Sequence, residues 1–453
     1  MDGGTYSVNL TTALRSGPLP RTAIVGGGGK TTTMFMLARE YARESPSPVI
    51  VAATAHMAIE QMALADQHSV IEDTPPTELQ LPSGVTLFTG PTNNAGKTTG
   101  LNASAMQRVL ELANQHRAPL FIEADGSKGL PLKAPAEYEP PIPDGVDTVI
   151  YVAGLSGLGQ PLNAAHVHRP ERYAKLSGLS PEDSITPERI AKVLRDPLGG
   201  LKNVPSGARR IALLNQADTP ELQAQAQFIA WQLLSASAYQ AVVIAALKYQ
   251  NIFAVHEPTA GIILAAGAST RMGQPKPLLL WRGEPFIRQV AHTALAAGLA
   301  PVVIVTGAHD LEIRAAVRDL PVQVIHNAEW GAGQSTSIRS GLHALPPETG
   351  SAIFLLADQP HIPIELVKAV KDQHAQTLAP IVAPLIEDRR GNPVLFDQVT
   401  FKDLLSLSGD VGGRAVFSKQ RVTYVPWHDA SLLLDVDTPE DYERLTRLED
   451  RSI

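Results

Sequence analysis

The sequence contains no cysteine. Without cysteine the chain cannot form disulfide bonds, thiolate zinc sites or iron–sulfur clusters, and it has no cysteine nucleophile. The absence suits a cytosolic protein, because structural disulfides are rare in reducing compartments. Any chemistry that this protein performs must therefore use other side chains.

Long apolar runs and an excess of positive charge are also missing. No run approaches the roughly 20 apolar residues that a membrane-spanning helix needs, and the N-terminus lacks the basic-then-apolar order of a signal peptide. The net charge of −7 gives no general attraction for nucleic acid or an anionic membrane. We therefore expect a soluble cytoplasmic enzyme without nucleic-acid or membrane partners, which binds small anionic substrates through local cationic loops.

The length of the chain predicts more than one domain. Its 453 residues are too many for one ordinary core, and 44% of them are hydrophobic, as in globular proteins. Two complete strand–loop–helix openings occur in the chain, and the segment 250–260 separates them. The sequence therefore predicts two α/β domains, residues 1–255 and residues 256–453.

Residues 261–276, GIILAAGASTRMGQPK, predict a phosphate-binding turn. The apolar run 261–264 predicts a buried strand, and the small residues after it let backbone N–H groups approach a polyphosphate. Arg271 and Lys276 add two cations. A tight strand-to-helix turn with solvated charges is the alternative, but the spaced cations and the acidic residues downstream favour a nucleotide site. The predicted nucleotide contacts are Leu264, Ala265, Ala266, Gly267 and Gly273.

The motif LAAG-x-S-x-RMG-x-x-K in this stretch resembles the signature of the MobA-like nucleotidyltransferases. Within that family it is most similar to the molybdenum cofactor cytidylyltransferases, because Ala265 and Ala266 match the cytidylyl branch, whereas the guanylyl branch has Leu-Ala-Gly-Gly. The resemblance extends from about residue 259 to the C-terminus. It implies a Rossmann-like fold of the nucleotide-diphospho-sugar transferase (GT-A) type, with CTP as donor and molybdenum-bearing molybdopterin as acceptor.

Two carboxylates at the ends of predicted elements are candidate metal ligands. The apolar run 352–357 predicts a strand that delivers Asp358, and Asp437 precedes a predicted helix start. By resemblance they match the family's strand-tip aspartate and its Asp-x-Asp-Thr-Pro-Glu-Asp motif. Mg²⁺ prefers oxygen ligands and keeps several waters, so two carboxylates suffice. Arg271 and Lys276 are then expected to hold the β- and γ-phosphates, which makes these two residues and Asp358 the predicted catalytic set.

A loop rich in small hydroxyl residues, 330–339, resembles the substrate-side loop of the same family. By that resemblance the expected substrate contacts are Ser335, Ser337 and Arg339. Capping of the following helix by Ser335 or Thr336 is expected as well.

A second glycine-rich loop lies near the N-terminus. The predicted strand 22–25 runs into Gly-Gly-Gly-Gly-Lys-Thr-Thr, and a predicted helix follows. This order wraps phosphates at a helix N-terminus in P-loop proteins. The spacing is shorter than in the strict motif, which has a glycine where this chain has Ile24, so a glycine hinge is the alternative. The predicted nucleotide contacts are Gly27, Gly28, Gly29, Lys30, Thr31 and Thr32.

Two further strand ends extend this N-terminal site. The predicted strand 120–124 runs into Asp125, where P-loop enzymes hold magnesium or its water shell; an Asp-Gly turn is the alternative. The predicted strand 211–214 runs into Asn215-Gln216-Ala217-Asp218, which resembles the Asn-Lys-x-Asp box that recognises guanine. Because glutamine replaces the lysine, ATP and GTP both stay candidates. Asn215 and Asp218 are the expected contacts.

Residues 26–32, 123–140 and 166–179 together resemble the accessory proteins of selenium-dependent molybdenum hydroxylases. The resemblance covers roughly residues 15–255. It implies a P-loop NTPase-like, three-layer domain and a molybdenum hydroxylase apoenzyme as partner, but it supplies no defined reaction. The whole chain is thus expected to be a molybdenum cofactor cytidylyltransferase fused to an NTP-binding maturation domain.

Two other functions fit the same residues. One is another CTP- or GTP-dependent nucleotidyltransferase that acts on a sugar phosphate or an alcohol phosphate. The other is a nucleotide-gated cofactor carrier or chaperone in which the N-terminal domain does the main work. Pyrophosphate release would separate the transferases from the carrier, and dependence on molybdopterin would separate the two transferases.

Overall fold

The computed structural model describes residues 8–71, 81–93 and 97–449. The chain divides into two compact units, Met1–His256 and Glu257–Ile453. The segment 250–260 is not a loop, because Asn251–His256 is the last strand of the first unit and Thr259–Ala265 is the first strand of the second. Within the described ranges, no helix is both long and apolar enough to cross a membrane.

The first unit is built on a mostly parallel sheet. Its main strands are β1 (Arg21–Gly26), β2 (Pro48–Ala53), β3 (Gln67–Val70), β4 (Gly84–Thr89), β5 (Leu120–Glu123), β6 (Thr148–Gly154), β7 (Arg209–Asn215), β8 (Ala241–Ala246) and β9 (Asn251–His256). In the described part of the chain their order is β9-β8-β7-β6-β1-β5-β2-β4-β3, and only β9 is antiparallel to its neighbour. Since β1 lies between β5 and β6, the loops after these strands meet at one edge of the sheet.

Apart from α1, which precedes β1, the helices of the first unit lie between its strands in the chain. They are α1 (Leu10–Ala13), α2 (Lys30–Glu44), α3 (Ile59–Met62), α4 (Ala103–Gln115), α5 (Pro170–Ser177), α6 (Pro187–Leu194) and α7 (Pro220–Ser235). α2 begins directly after the glycine-rich loop and packs against β1, β2, β4 and β5. Gly29 is its N-cap, with φ of +133°, a backbone conformation that favours glycine.

The second unit contains a mixed sheet. Its strands are β10 (Thr259–Ala265), β11 (Val302–Thr306), β12 (Gln323–His326), β13 (Ser351–Leu356), β14 (Ile381–Ile386), β15 (Arg389–Arg390), β16 (Val394–Asp397) and β17 (Val422–Pro426). As far as the chain is described, the order is β12-β11-β10-β13-β16-β14-β15, and β17 pairs with β14. The four strands from β12 to β13 are parallel, whereas β16 is antiparallel to both neighbours. The predicted α/β class is confirmed.

Helices cover the second sheet over two apolar cores. They are α8 (Phe286–Ala296), α9 (Asp310–Val317), α10 (Gln334–His343), α11 (Ile364–Thr377), α12 (Phe401–Leu405) and α13 (Pro439–Glu449). Ile262 and Ile263 are neighbours on β10 but belong to different cores. Successive strand residues point to opposite faces, so this buried run seals both sides of the sheet.

The stretch after β10 is an open loop and not a tight strand-to-helix turn. Residues 266–275 contain no helix or strand, Lys276–Leu278 is a 3₁₀ turn, and α8 begins only at Phe286. Proline at positions 275 and 277 removes two N–H donors and disfavours helix at the residue before each one. The small residues therefore form an open loop instead of a helix N-terminus.

Candidate active site

A cleft of about 800 Å³ lies over the carboxyl ends of β10 and β13 in the second unit. In a parallel sheet, a crevice opens at the carboxyl ends of two neighbouring strands when the loops that follow them lead away in opposite directions. Here β10 is that point, with β11 on one side and β13 on the other. The predicted residues that line the cleft are Leu264, Ala265, Ala266, Gly267, Arg271, Lys276, Ser337, Asp358 and Asp437.

Lys276 joins the two predicted metal ligands, although they are far apart in the chain. Its Nζ lies 3.5 Å from Asp358 Oδ2 and 2.5 Å from Asp437 Oδ1. Arg271 Nη1 lies 3.4 Å from Asp437 Oδ2. The four side chains predicted to hold phosphates and metal thus form one cluster in the cleft.

Neighbouring residues fix the backbone on which these carboxylates stand. After β13, the buried Gln359 donates from Nε2 to Asp435 Oδ1 at 2.5 Å. At the start of α13, Asp441 Oδ2 accepts from the Asp437 and Thr438 amides at 3.3 and 3.1 Å, and Thr438 Oγ1 accepts from the Asp441 amide at 3.3 Å. These reciprocal hydrogen bonds lie at the start of α13, where the sequence predicted a helix to begin, and they hold the Asp437 backbone in place.

The pKa of Asp358 is raised above its ordinary value. Burial is the largest cause, the cation of Lys276 opposes it, and the carboxylates of Asp435 and Asp437 add to it. Burial and like charges both disfavour the ionised form. A group that brings more positive charge to this cluster would therefore be bound favourably.

The donor set suits Mg²⁺ better than a metal that needs an all-protein cage. Two carboxylates converge on the same ammonium group, and magnesium is commonly held by one or two carboxylates plus waters and phosphate oxygens. Within the described ranges, no cluster of three or more His, Cys, Asp or Glu residues is placed to hold a metal ion. Asp358 and Asp437 are the residues that would bind magnesium here.

Three predicted residues of this unit lie outside the cleft lining. Gly273 is exposed in the loop after β10. Ser335 is fully buried and its Oγ donates to the Gly409 carbonyl at 2.7 Å. Arg339 donates from Nη1 to the Leu407 carbonyl at 2.6 Å and lines a different pocket. Only Ser337 of the predicted substrate contacts faces the cleft.

The expected capping by Ser335 or Thr336 is wrong. α10 begins at Gln334, and Gly333 is its N-cap, with φ of +112° and no side-chain cap. The hydroxyl of Thr336 donates to the Gly333 carbonyl at 2.8 Å. Because the helix starts earlier than the hydroxyl run suggests, these side chains lie inside its first turn.

Sequence reasoning assigned no role to two other residues of the cleft. Asp410 Oδ1 accepts from the Gln334 amide at 3.3 Å, and both residues line the cleft. The signal for Asp410 was its place in the glycine-rich segment 409–413, which reaches α10 only through the tertiary fold. Asp410 adds a third carboxylate to the lining of the cleft.

In the first unit, the predicted loop lysine is held by its own loop and by two acids. Lys30 is 4% exposed, and its Nζ donates to the Gly26 carbonyl at 2.8 Å. The same atom lies 3.5 Å from Asp125 Oδ1 and 3.8 Å from Glu123 Oε1. The structure thus brings Lys30 and Asp125 together as the sequence predicted, and it adds Glu123.

Glu123 also contacts the residue after the lysine. Thr31 Oγ1 donates to Glu123 Oε2 at 2.7 Å. The pKa of Glu123 is raised above its ordinary value, because the effect of burial outweighs the opposing effects of Lys30 and of the Thr31 hydrogen bond. The lone acid at the end of β5, an otherwise apolar strand, was the signal that sequence reasoning missed.

Tight packing explains one of the loop glycines. A Cβ on Gly28 would lie 2.4 Å from the Gly154 Cα and 3.0 Å from the Pro131 carbonyl oxygen. Asn215 donates from Nδ2 to the Gly28 carbonyl at 2.7 Å, so its amide supports the loop, whereas Asp218 is exposed. Asn215 is therefore a structural partner of the loop in this conformation.

An ion-pair chain leads away from the same loop. Lys133, 1% exposed, lies 2.8 Å from Asp125 Oδ2 and 2.9 Å from Glu139 Oε2. Arg169 forms a two-pronged hydrogen bond with Glu139 at 2.6 and 3.0 Å. Buried charges are tolerated only when they are paired in this way. Asp125 thus has a structural partner in addition to Lys30.

The second unit has a cleft over the parallel strands of its mixed sheet and paired carboxylates beside two cations, features that are typical of a nucleotide-binding α/β protein. The MobA-like NTP transferase domain family matches residues 261–424, and the YqeC protein family matches residues 22–171. The chain belongs to the MobA-like NTP transferases through its second unit and carries an N-terminal YqeC domain. It is a nucleotidyltransferase, as predicted.

Three curated relatives each match less than half of this chain. Uncharacterized protein YqeC of Escherichia coli is 34% identical over 43% of this chain and 75% of its own length. Nicotine blue oxidoreductase of Paenarthrobacter nicotinovorans is 32% identical over 41% of this chain and 95% of its own length. Molybdenum cofactor cytidylyltransferase of E. coli is 24% identical over 41% of this chain and 97% of its own length. The names of the relatives agree on no single substrate.

Proposed function

We propose that the second unit transfers a cytidylyl group from CTP to the terminal phosphate of molybdenum-bearing molybdopterin. The observation that carries the proposal is the cluster in which Lys276 meets Asp358 and Asp437 beside Arg271. An oxygen of the pterin phosphate forms a bond to the α-phosphorus of CTP, and the bond from that phosphorus to the bridging oxygen breaks. Pyrophosphate leaves with the electron pair.

The residues of the cleft would act mainly by position and charge. The backbone of Ala265, Ala266 and Gly267 is open to phosphate oxygens because these side chains are small. Arg271 and Lys276 would neutralise the β- and γ-phosphates and the charge that develops on pyrophosphate. Bound magnesium supplies Lewis-acid polarisation of the phosphoryl oxygens. The acceptor phosphate is already ionised, so no protein base is required.

CTP is the proposed donor because of the two alanines after Leu264 and because of the relative named as a cytidylyltransferase. A relative named as a probable molybdenum cofactor guanylyltransferase, from Bacillus cereus, is 27% identical over 40% of this chain, so GTP is the competing donor. We expect the full chain with magnesium and molybdenum-loaded molybdopterin to release pyrophosphate with CTP much faster than with ATP, GTP or UTP. Mass spectrometry of the product would show the cytosine dinucleotide.

Three results would redirect this proposal. Preference for GTP would move the chain to the guanylyl branch. Pyrophosphate release with a sugar phosphate or alcohol phosphate, but not with the pterin, would replace the acceptor. No pyrophosphate release with any of the four nucleotides would refute nucleotidyl transfer by this site and favour the carrier function.

We also propose that the first unit binds ATP or GTP through residues 27–32. The support is Lys30 at the start of α2, with Asp125 and the Thr31–Glu123 pair beside it. Binding requires Lys30 to exchange its contact with the Gly26 carbonyl for phosphate oxygens. Equilibrium titration of the full chain should detect a second nucleotide site that Lys30→Ala abolishes and Lys276→Ala leaves intact. Absence of that site in the unmodified chain would make the loop structural.

A further inference from the structure

A second cavity in the second unit opens beside the nucleotide cleft. It encloses about 240 Å³ and shares Leu264, Gln334 and Leu356 with the cleft. Gln334 lies at the boundary because it lines both spaces, and it packs closely on Gly412, where a Cβ would lie 2.5 Å from the Gln334 Oε1. A molecule in this cavity would therefore reach the cleft beside α10.

Three phenylalanine rings form much of the cavity wall, and we call it the Phe417 cavity. The rings of Phe354 and Phe396 are 5.6 Å apart, and those of Phe396 and Phe417 are 6.1 Å apart, both pairs edge to face. The backbone brings them together from β13, β16 and the segment after α12. Such a wall favours a flat, apolar or aromatic surface over a hydrated one.

Two arginines line the same cavity. The Arg390 guanidinium lies 4.7 Å from the centre of the Phe417 ring, and Arg414 lies on the 3₁₀ turn Gly413–Val416, which also lines the cavity. Both side chains are exposed. In the described part of the chain neither guanidinium lies within 4.0 Å of a carboxylate, whereas Arg271 does. Exposed cations above an aromatic wall attract an anionic ring compound.

We propose that the Phe417 cavity binds the acceptor of the transfer reaction and selects a planar heterocycle that carries an anionic group. Arg390 and Arg414 would pair with that group, and the phenylalanine wall would contact the ring. A polyol phosphate fits poorly, because each hydroxyl that loses water against a phenylalanine ring without gaining a partner costs binding energy. The inference rests on the proposed function, because it assigns the ligand of the cavity as the acceptor.

The test uses pterin-6-carboxylate, a fluorescent planar anion, and the full chain without CTP. We expect wild type to bind this probe about tenfold more tightly than neutral pterin, since a charge-assisted hydrogen bond contributes that much. Arg390→Gln and Arg414→Gln should each lose the preference. Arg318→Gln, which replaces an exposed arginine after α9 that does not line the cavity, should keep it. Glucose 1-phosphate should not displace the probe.

Three outcomes would overturn the inference: no binding of the probe to wild type, a preference for the anionic probe in both cavity variants that equals that of wild type, or displacement of the probe by the sugar phosphate. The exposed arginines contribute little to core packing, so their variants should fold. The result is separable from the proposed function, because the assay contains no nucleotide. If probe binding depends on the arginines but the chain transfers no cytidylyl group, the cavity assignment stands and the proposed reaction is refuted. If probe binding does not depend on the arginines but transfer is normal, the proposed reaction stands and the cavity assignment is refuted.

Discussion

Lys30 and Lys276 each stand between two carboxylates, and each follows a loop of small residues. Lys30 Nζ lies within 3.8 Å of Glu123 and Asp125, and Lys276 Nζ within 3.5 Å of Asp358 and Asp437. Lys30 is buried, whereas Lys276 lines an open cleft. Removing the partner of a buried charge is costly, so a polyphosphate can engage Lys276 with less rearrangement than Lys30.

Asp358→Asn is the sharpest residue test of the transfer site. The substitution keeps the side-chain shape but removes a charge that would hold magnesium, so we expect turnover to fall by roughly a hundredfold or more, with the fold intact. Pyrophosphate release with magnesium as the sole metal measures this. The control is Asp388→Asn, the same change at an exposed turn with φ of +62°, a conformation that asparagine tolerates.

Near-wild-type turnover of Asp358→Asn would remove Asp358 from the metal site. Equal losses in Asp358→Asn and Asp388→Asn would point to a general effect of charge in this unit. Calorimetry on both variants would show whether the fold is preserved.

Glu139 makes the stability of the first unit depend on pH. Burial alone would raise its pKa, but hydrogen bonds from Arg169 and Lys133 outweigh it and lower the pKa from 4.5 to about 2. A carboxyl with a depressed folded pKa stabilises the protein above its unfolded pKa, and this contribution fades as the pH falls toward the folded pKa. Wild type should therefore exceed Glu139→Gln in Tm at pH 7, and the gap should narrow below about pH 4.5.

The neighbouring Glu137 supplies the control for this experiment. Its side chain is 90% exposed and lies 3.5 Å from Arg172, so Glu137→Gln should change Tm little at any pH. A gap between wild type and Glu139→Gln that stays constant from pH 7 to pH 3 would contradict the assigned pKa.

At the scale of elements, the sequence predicted what depends on local pattern. The predicted strand 211–214 lies within β7, and the predicted runs before Asp125 and Asp358 are the strands β5 and β13, which end two residues before these carboxylates. Parallel strands bring such ends to one edge, so much of the transfer cluster followed from the sequence. The ion pairs of Lys133 with Asp125 and Glu139 could not be predicted from the sequence. The segment after β5 that contains these residues is largely irregular, and a hydrophobic periodicity does not predict the conformation of such a segment.

The Phe417 cavity could not be predicted for the same reason. Its rings come from β13, β16 and the segment after α12, and β16 lies between β13 and β14 in the sheet although it follows β14 in the chain. The start of α10 was misplaced because its cap is the backbone of Gly333, which is indistinguishable in sequence from the other glycines of that loop. Both errors concern the side of the cleft where the acceptor would bind.

Gly341 tests how α10 is held on the sheet. A Cβ at this position would lie 2.7 Å from Ile262 Cγ2 and 3.3 Å from Val305 Cγ2, both on fully buried residues. Although alanine favours helix, we expect Gly341→Ala to destabilise the second unit by about 1–3 kcal/mol, as overpacking of a filled core does. Gly331→Ala is the control, because a Cβ there meets nothing within 4 Å. Thermal or denaturant unfolding that shows Gly341→Ala as stable as wild type would refute this close packing.

At the scale of the whole molecule, two candidate nucleotide sites share one chain. We propose that the second unit forms the dinucleotide cofactor and that the first unit assists its transfer, or the transfer of a sulfur- or selenium-bearing form, to a molybdenum hydroxylase apoenzyme. Covalent linkage raises the effective concentration of one site at the other, to roughly millimolar for short connections. Only Glu257 and Pro258 connect the last strand of the first unit to the first strand of the second.

Complementation between full-length variants tests this coupling without cutting the chain. Lys30→Ala would inactivate the first unit and Asp358→Asn the second, so an equimolar mixture contains both active units on different chains. If the units act in sequence on one labile cofactor, the mixture at nanomolar concentration should activate the apo-hydroxylase far more slowly than wild type at half the total chain concentration, and the deficit should shrink as concentration rises. The intramolecular advantage disappears once the free concentration approaches the effective one. A mixture that matches wild type even when dilute would show that the fusion only fixes the ratio of two independent proteins.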